Sequence, residues 1–431
     1  MMKVGTFTIK TRALARALFV AIFFCLAAQS SFGNGMRLAS QDGFATARGE
    51  AFTATADNAS AIYYNPAGIT QIEGSSLRAG IYGIYLDPTF TSTTPPNAGN
   101  TYRVTKHYAA VPQSFFTHHV EDSAWSFGFG LYAPYGASIG WPDDTGFRTV
   151  ATYGRLTYLR LNPVIAYQLA PNLSIAAGAL LDFGQIKLEQ GLLRRVAPFE
   201  NFFRFSGQGY SAGYNVGILW KPLEQVSLGA TFRSQTSINF NGRTEFEQQP
   251  IIQSTRLPAN AEFDFPLTVV VGISYRPTTN WNFEFDADYT DWSSLGQLTI
   301  KQDGIPPFPV QQDIPVTLNW QASWMFCVGA TRQFENGWHV STGYVFNQNS
   351  VPDDFYSPLA ADLDRHFITI GAGRKTGRVD LDVAYQLGYG PARTVAGSAP
   401  PSQPGLNAGQ NGDGTYDFIS HAVMVTVGLH F

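Results

Sequence analysis

The chain has 431 residues, a formal net charge of −4, and only 14% charged residues against 14% aromatic ones. A soluble domain of average composition carries roughly 25% charged residues, and a helical membrane protein needs several apolar runs of roughly 20 residues. No such run follows residue 28, and the mean hydropathy is −0.08. This composition is typical of a transmembrane β-barrel, whose strands alternate lipid-facing and lumen-facing residues. A secreted β-sandwich is the alternative. The sequence has no cluster of Lys and Arg of the kind that would indicate nucleic-acid binding.

The N-terminus is typical of a secretory signal. Four cations within the first 16 residues precede the apolar run 17–28, and small residues follow it. That run is too short to cross a membrane as a helix, so we expect residues 1–33 to be a signal peptide. Cys25 lies inside this segment. Cys327 is then the single cysteine of the mature chain, so we expect no intramolecular disulfide.

Residues 34–76 are small and polar and lack sustained alternation, whereas strand-like segments recur from residue 77 onward. In 281–290, aromatic side chains take one face and Glu284, Asp286 and Asp288 take the other, as expected when successive side chains of a strand point to opposite faces. We predict about 14 such strands. The predicted segments are 77–87, 104–118, 125–132, 157–169, 173–188, 210–220, 226–240, 267–276, 281–290, 324–334, 338–347, 366–374, 378–389 and 422–431.

The predicted connections alternate in length. The short ones are 170–172, 221–225, 276–280 and 334–337, and the long ones are 134–156, 189–209, 241–266, 348–365 and 390–419. Short turns at one end and long loops at the other favour a barrel over a sandwich. The sequence ends on Phe431 in strand pattern. Outer-membrane barrels commonly end so, and we expect the barrel-assembly machinery to read this strand.

The segment 47–68 resembles the N-terminal region of the FadL family, the long-chain fatty-acid transporters of outer membranes. The elements that carry this resemblance are Gly49-Glu50-Ala51, 56–60 and Asn65-Pro66-Ala67-Gly68. Further elements extend it over essentially the whole mature chain. They are Pro134-Tyr135-Gly136, Trp141, Arg148, Leu161-Asn162-Pro163, Ala166-Tyr167, 289–293, 351–353, Asp362 and Asp364-Arg365-His366.

The resemblance implies an all-β fold, a 14-stranded antiparallel barrel over 77–431 with an N-terminal plug, or hatch, over 34–76. It implies passive transport of hydrophobic small molecules, most often long-chain fatty acids, across the cell outer membrane. Substrate would enter an outer groove between long loops, reach a lumenal pocket and leave after a hatch shift, with a lateral exit beside a kinked third strand in many members. Related members carry aromatic hydrocarbons instead, and that alternative stays open. So does a non-transporting barrel, an adhesin or receptor.

We expect no enzymatic activity, no cofactor and no metal. The pattern G-x-S-x-G at 209–213 opens a strand with no helix after it, whereas a hydrolase elbow needs a strand–turn–helix context. The expected partners are the hydrophobic ligand, outer-membrane lipid and lipopolysaccharide, and the assembly machinery. We expect a monomer and no nucleic acid.

Two groups of residues are candidates for gating. The hatch candidates are Gly49, Glu50, Asp57, Asn58, Asn65, Pro66 and Ala67. Asn-Pro favours a turn, so an ordinary turn into the first strand is the alternative. Small polar side chains would bury little apolar area, which predicts a low cost of opening. In the third strand, Gly128, Gly130 and Pro134 predict a local distortion that opens the wall. Alternatively, these glycines face a crowded lumen.

The connection 189–209 is unusually apolar for an exposed loop, which predicts a substrate-landing surface. Its candidates are Leu192, Leu193, Phe199, Phe202, Phe203 and Phe205, with Arg194, Arg195 and Arg204 to attract an acidic headgroup or lipopolysaccharide phosphates. The alternative is a loop that covers its own small core. Arg148, Arg155 and Arg160 are candidate partners for a substrate carboxylate, or they pair with acidic residues across the lumen.

Overall fold

The computed structural model describes residues 35–194, 200–248, 252–307, 310–398 and 410–431. The predicted signal peptide 1–33 lies outside these residues. Among the residues that the structure describes, no helix has the length and apolar character needed to cross a membrane.

Strands dominate the described ranges, with 21 strands in one sheet. They are β1 (Ser75–Leu86), β2 (Thr89–Ser92), β3 (Thr101–Arg103), β4 (Tyr108–His119), β5 (Trp125–Tyr132), β6 (Gly136–Gly140), β7 (Tyr153–Ala170), β8 (Leu173–Gly191), β9 (Asn201–Leu223), β10 (Val226–Arg233), β11 (Thr236–Gln248), β12 (Ile252–Phe265), β13 (Thr268–Thr278), β14 (Trp281–Thr290), β15 (Gln297–Gln302), β16 (Asp313–Thr317), β17 (Ser323–Gln333), β18 (Trp338–Asn347), β19 (Arg365–Thr376), β20 (Val379–Val395) and β21 (Gly414–His430). The helices are short: α1 (Gly43–Ala47), α2 (Ala61–Tyr64) and the 3-10 helices Pro66–Gln71, Trp292–Ser294, Asp353–Phe355 and Pro358–Ala360.

Fourteen of these strands form a closed antiparallel barrel. The ring runs β1, β4, β5, β7, β8, β9, β10, β13, β14, β17, β18, β19, β20 and β21, and it closes where β21 pairs with β1 from Ser76↔His430 to Leu86↔Ser420. Closure leaves no edge of unpaired backbone groups facing lipid. The predicted fold is confirmed, and each predicted segment overlaps one ring strand.

The alternation predicted for β14 is confirmed by burial. Its aromatic side chains face outward, with Phe283 44% and Phe285 43% exposed, whereas Glu284, Asp286 and Asp288 face inward and are buried. Outward-facing rings and aliphatic side chains recur on the other ring strands. The outside of the barrel therefore suits hydrocarbon, and the inside holds the polar groups.

The remaining seven strands extend the wall beyond the ring at the long-loop end. The prediction that 189–209 and 241–266 are loops is wrong, because much of both ranges is strand. β8 continues to Gly191 and β9 begins at Asn201, while β11 pairs with both β9 and β12. These additional strands are stable because every second side chain of the hairpins packs against the others inside the barrel mouth. The predicted short turns at 170–172, 221–225, 276–280 and 334–337 are confirmed as tight connections.

Residues 35–74, here called the N-terminal segment, lie inside the ring. The helix α1 contacts β18, β19, β20 and β21, while the 3-10 helix Pro66–Gln71 contacts β7, β8 and β9 on the opposite wall. The segment has a core of its own, with Phe52, Ile62 and Tyr63 buried among Ala residues. The expectation that this region buries little apolar area is therefore wrong.

Candidate functional site

Carboxylates on β14 hold the backbone of the N-terminal segment. Asp286 Oδ2 accepts hydrogen bonds from the backbone nitrogens of Phe52 and Thr53, both at 2.9 Å. Glu284 Oε1 accepts from the nitrogen of Ala54 at 2.7 Å. Three successive amides thus point at two buried carboxylates, an arrangement of charge-assisted hydrogen bonds that are roughly twice as strong as neutral ones.

The same strand binds two arginines of the segment. Arg48 Nη2 lies 3.1 Å from Glu284 Oε2, and both side chains are fully buried. Arg37 Nη1 lies 2.5 Å from Asp288 Oδ1. Removing one partner of such a buried pair leaves an uncompensated charge, which costs about 3–5 kcal/mol. The inward face of β14 is therefore the main polar attachment of the segment.

A second polar cluster holds the segment on the opposite side of the ring. Asp42, which caps α1, pairs with Arg78 of β1. Arg78 Nη2 also lies 2.6 Å from Asp382 Oδ2 on β20, and His339 Nε2 lies 2.6 Å from Asp382 Oδ1. The cluster ties one residue of the segment to three ring strands.

Glycines in the wall make room for the backbone of the segment. A Cβ at Gly343 would overlap the backbone of Arg48 and Gly49, and a Cβ at the paired Gly329 would overlap the carbonyl of Arg48. Gly49 itself has a φ of +65°, and a Cβ there would lie 2.8 Å from the nitrogen of Tyr344. Three further wall glycines abut the segment in the same way: Gly217, Gly229 and Gly371.

Glu50, a predicted hatch residue, has a left-handed backbone with a φ of 63°. Its carboxylate accepts hydrogen bonds from Ser40 Oγ and Tyr64 OH, each at 2.7 Å. Burial raises the pKa of the Glu50 carboxyl above its ordinary value, although the bonds from Tyr64 and Ser40 act in the opposite direction. A left-handed backbone at a non-glycine residue costs about 1–3 kcal/mol and persists only where the surrounding structure holds it in place.

Of the predicted residues that follow Glu50, Asp57 bonds to the barrel wall and Asn58 bonds within the N-terminal segment. Asp57 pairs with Arg276 of β13 at 3.1 Å, near the short-turn end of the barrel. Asn58 Oδ1 accepts from the nitrogen and the hydroxyl of Ser60, at 2.8 and 2.6 Å. Asp57 therefore contacts the wall, while Asn58 shapes the turn before α2.

The Asn-Pro-Ala element packs directly on β9. Asn65 Nδ2 donates to the carbonyls of Thr53 and Ile218, both at 2.9 Å, and Asn65 Oδ1 caps the 3-10 helix that begins at Pro66. Ala67 is fully buried in that helix. The element is a turn, as its sequence indicates, and it also bonds the segment to the barrel wall.

The predicted distortion at Gly128 and Gly130 is wrong in its position. Both residues pair without a register shift to β4 and to β7 along 125–132. A Cβ at Gly128 would lie 2.9 Å from Ile62 Cδ1, and one at Gly130 would lie 2.9 Å from the Phe115 ring. These glycines leave space for α2 and for the Phe115 side chain in the lumen, which agrees with the alternative of a crowded lumen.

The interruption of the third ring strand lies just beyond, at 133–135. Pro134 follows β5, and its carbonyl accepts from the nitrogen of Leu38 at 2.8 Å, while the nitrogen of Gly136 donates to the carbonyl of Met36 at 2.9 Å. The chain thus pairs with the N-terminal segment here instead of with β4. Within the described ranges, residues 108–113 of β4 pair with β1 and have no strand on their other side. This break is an opening in the ladder of the wall.

Two cavities flank the segment behind this break. The larger has a volume of about 50 Å³, and the smaller has about 20 Å³. Arg37, Ala39, Glu50 and Met325 line both cavities and separate them. The remaining lining of the larger cavity mixes apolar and polar side chains: Ser40, Tyr82, Ile84, Val345, Asn347, Phe367, Gln386, Phe418 and Ser420.

The predicted landing surface is largely inside the barrel mouth. Leu192, Phe203 and Phe205 are buried in the aromatic cluster at the long-loop end, so their prediction as an exposed surface is wrong and the alternative of a covered core fits them. Phe202 faces outward, with the guanidinium of Arg204 4.3 Å from its ring centroid. Leu193 is half-buried and Arg194 is exposed, while Arg195 and Phe199 lie outside the described residues.

The three arginines predicted for a substrate carboxylate have different surroundings. Arg148 Nη1 donates to Asn201 Oδ1 at 2.7 Å, and burial lowers its pKa. Arg160 pairs at 2.6 Å with Asp182, its register partner on the neighbouring strand β8, so it does bind an acidic residue but within the wall and not across the lumen. Arg155 faces outward from β7 and does not line the lumen. Arg148 thus fastens the outer loops, and Arg155 belongs to the exterior surface.

The residues that hold the segment were mostly absent from the sequence-based candidates. Asp42, Arg48, Arg78 and Asp382 carry no local motif. The sequence does indicate the role of β14, because it places three carboxylates on one face of a strand in a chain with few charges. Carboxylates buried in this way require hydrogen-bonding or cationic partners. The wall glycines gave no comparable signal.

Comparison with known proteins agrees with this architecture. A family model described as an outer membrane protein transport protein (OMPP1/FadL/TodX) matches residues 24–431. A long-chain fatty acid transport protein of Salmonella typhi is 24% identical over 368 residues, which cover 78% of this chain and 83% of that protein.

Solved structures show the same fold. The structure of a FadL homologue from Pseudomonas aeruginosa aligns with a TM-score of 0.79 at 17% identity, covering 92% of this chain and 100% of that chain. The toluene transporter TbuX of Ralstonia pickettii aligns with a TM-score of 0.65 at 17% identity, covering 91% and 99%.

Proposed function

The chain belongs to the family of outer membrane transport proteins described as OMPP1/FadL/TodX, and from this membership we propose that it carries long-chain fatty acids passively across the outer membrane. The observation that carries the proposal is the larger cavity beside the N-terminal segment. Its lining combines aliphatic and aromatic side chains with Arg37, Gln386 and Asn347. Such a lining suits a ligand with an apolar chain and a polar head. The cavity has a volume of about 50 Å³, so the N-terminal segment must move and widen it before it holds a whole acyl chain.

Entry takes place at the long-loop end. The inward faces of the outer hairpins carry a dense cluster of aromatic side chains, including Phe205, Phe240 and Phe265. Burying an apolar chain against such rings contributes about 25 cal/mol per Å² of area removed from water. These apolar contacts hold substrate at the mouth, and its own concentration gradient then moves it inward without an energy source.

The N-terminal segment acts as a plug that must shift for substrate to pass. Its body is held firmly by Glu284, Asp286 and its own aromatic core. The stretch 36–41 is different, because it lies between the two cavities and bridges the break in the wall. We therefore assign the movement to this stretch, with Arg37 and the neighbouring Glu50 as the groups that re-form their bonds.

Exit is lateral, through the break between 108–113 of β4 and 133–135. The unpaired edge of β4 and the pairing of Pro134 and Gly136 with Leu38 and Met36 support this route. If 36–38 withdraw, the two backbone hydrogen bonds across the opening are lost together. The substrate would then move sideways into the outer leaflet and avoid water.

Aromatic hydrocarbons are the second candidate substrates. The buried rings of the outer cluster, such as Phe90 and Phe147 with centroids 4.6 Å apart, suit an uncharged ring as well as an alkyl chain. The fold shared with the toluene transporter TbuX is compatible with this alternative. A fatty acid differs by its carboxylate, which Arg37 at the cavity would bind in exchange for Asp288, its partner in this structure.

Uptake of labelled oleate and labelled toluene by cells that lack their own transporter for each compound tests the proposal. We expect saturable oleate uptake that depends on the protein and little facilitation of toluene. Facilitated toluene uptake without oleate uptake would favour the second candidate. If neither compound enters faster than in cells without the protein, the barrel does not transport them, and the result favours a role as an adhesin or receptor.

The plug assignment has its own test. Deletion of residues 35–66 removes the bonds to β14 and most of the segment core, and should open the lumen to small hydrophilic solutes. Conductance of the purified barrel in a planar bilayer measures this directly. If deletion leaves both conductance and oleate uptake unchanged, the segment is not the plug.

A further inference from the structure

A polar groove lies on the outer surface of the barrel, near the long-loop end. It spans β7, β8, β9 and β11 and has a volume of about 590 Å³. Its lining includes Arg155, Lys187 and Arg243, with hydrogen-bonding side chains such as Gln185 and Asn241 between them. Within the described residues, no carboxylate lines the groove.

The groove faces the surroundings of the barrel and not its lumen. On β7, Tyr158 and Arg160 are buried inside, so the odd-numbered Arg155 points outward. On β9, Phe205 is fully buried while the neighbouring Ser206 lines the groove. Since successive side chains of a strand point to opposite faces, the groove residues form one exterior surface.

The charge around the groove is predominantly positive. Three cations line the groove: Arg155, Lys187 and Arg243. Beside it, the carboxylates of Glu189 and Glu245 pair with Arg204, Arg243 and Arg256, and Lys187 lies farther from them.

Two of the groove cations have little carboxylate contact. Lys187 Nζ stays 3.8 Å from its nearest carboxylate. For Arg155, the side-chain bond found in the described ranges is to Thr157 Oγ1 at 3.2 Å. The surface therefore retains unneutralised positive charge suited to an anion.

An apolar surface lies directly below the groove. Along β8 the outward positions pass from Leu181 and Phe183 to Gln185 and Lys187, so the change from apolar to polar occurs within one strand. Tyr210 of β9 is 73% exposed, and its ring centroid lies 5.1 Å from that of Phe183. Aromatic rings at this level are typical of the boundary between hydrocarbon and headgroups.

We propose that this groove binds the phosphorylated headgroup of an outer-leaflet lipid, whose acyl chains lie against Leu181, Phe183 and Tyr210. Arginine and lysine bind phosphate through charge-assisted hydrogen bonds, and a basic group near a membrane surface contributes about 1 kcal/mol of attraction to anionic lipid. The continuous apolar surface below the groove favours a lipid over free phosphate. This binding is independent of the transport pathway, because none of the groove residues lines the lumenal cavities.

The test uses the purified full-length barrel in detergent and lipid A that carries two phosphates, with the same lipid A after enzymatic dephosphorylation as comparison. Native mass spectrometry counts the bound lipid, and inorganic phosphate serves as competitor. We expect the diphosphorylated lipid to bind at least 10-fold more tightly than the dephosphorylated one. We also expect inorganic phosphate at equal concentration to displace little of it, because phosphate lacks the acyl contacts. Equal binding of the two lipids overturns the proposal, and so does full displacement by equimolar phosphate.

Variants localise the binding. Arg155→Gln, Lys187→Gln and Arg243→Gln together remove three cations from the groove, and we expect roughly 100-fold weaker binding of diphosphorylated lipid A, on the scale of about 1 kcal/mol per cation. Lys301→Gln, Arg374→Gln and Lys375→Gln remove three exposed cations elsewhere and should leave binding unchanged. If the groove variant binds like the natural chain, or the control loses binding equally, the groove is not the site. Heat-modifiable migration on gels checks folding, and the comparison of the two lipids on the natural chain needs no variant.

Discussion

The backbone nitrogen of Gly49 lies so close to the α-carbon of Gly343 that no side chain fits between them. The contact joins the N-terminal segment, the proposed plug, to the wall at β18, and the obstructing atoms are backbone, which cannot rotate away. We predict that Gly343→Ala displaces the plug around Arg48 and Gly49 while the ladder of β17 and β18 persists. Forcing extra volume into such a site typically costs about 1–3 kcal/mol. The expected result is a raised single-barrel conductance and greater sensitivity of cells to bulky hydrophilic antibiotics.

Gly83→Ala is the matched control for this substitution. Gly83 also lies in a ring strand, but a Cβ there would meet only the carbonyl of Val423, at 3.8 Å. It should leave conductance unchanged. Equal leakage from the two variants would mean that the contact between Gly343 and Gly49 does not hold the plug.

Glu284 supports the plug through several bonds at once, so its replacement should have a large effect. Glu284→Gln keeps the shape but loses the charge that balances the buried Arg48. An unpaired buried charge costs about 3–5 kcal/mol. We predict that amide protection of Ala54 and Thr55 in hydrogen exchange falls by at least 100-fold, while protection of the ring strands is retained.

A double-mutant cycle separates the ion pair from the other bonds of Glu284. Arg48→Met combined with Glu284→Gln should be less destabilising than the sum of the single changes, since the pair interacts directly. If the free-energy change of the double variant equals the sum of the two single changes, Arg48 and Glu284 do not stabilise docking by interacting with each other.

The ring could be predicted from the sequence because its signal is local. Each strand places apolar side chains at every second position, as in 281–290, and the barrel follows from repetition of that pattern. The outer hairpins were missed although Phe203 and Phe205 also alternate with polar residues. Their apolar content alone predicts an exposed binding loop, because the side chains that cover them come from β11 and β12, far along the chain.

The site was less predictable because its contacts join residues far apart in the sequence. Gly128 and Gly130 are small because α2 needs the space, and Ile62 lies on another part of the chain. The actual break, at 133–135, depends on pairing with Met36 and Leu38. Pro134 indicated that the strand ends there, but no local pattern showed that the following residues leave β4 for the plug.

The ionisation of Glu50 should make plug docking depend on pH. Burial raises the pKa of this carboxyl in the docked state above its ordinary value of 4.5. The docked state therefore binds the proton more tightly than the released state, so stability present below pH 4.5 is lost as pH rises through the docked pKa. We predict that the protection of residues near Glu50, corrected for the intrinsic exchange rate, falls as pH is raised from 4.5 toward 8.

Glu50→Gln tests the origin of this dependence. Its amide cannot ionise but can still accept a hydrogen bond from Tyr64 or Ser40. The variant should retain similar protection over the same pH range. A variant that follows the same pH profile as the natural chain would assign the titration to another group.

The proposed lateral exit predicts that filling the break beside β4 slows transport without unfolding the barrel. Ala109 lies on the stretch of β4 that pairs with β1 alone in the described ranges, faces inward and is 9% exposed. Ala109→Trp places a large ring in the opening, and we expect oleate uptake to fall severalfold. Ala177→Trp is the control, because Ala177 faces lipid from the fully paired β8 and the added ring meets hydrocarbon. Both variants should show the same heat-modifiable migration and the same surface abundance. Under those conditions, unchanged oleate uptake by the Ala109→Trp protein would exclude the break as the route and favour release toward the periplasm.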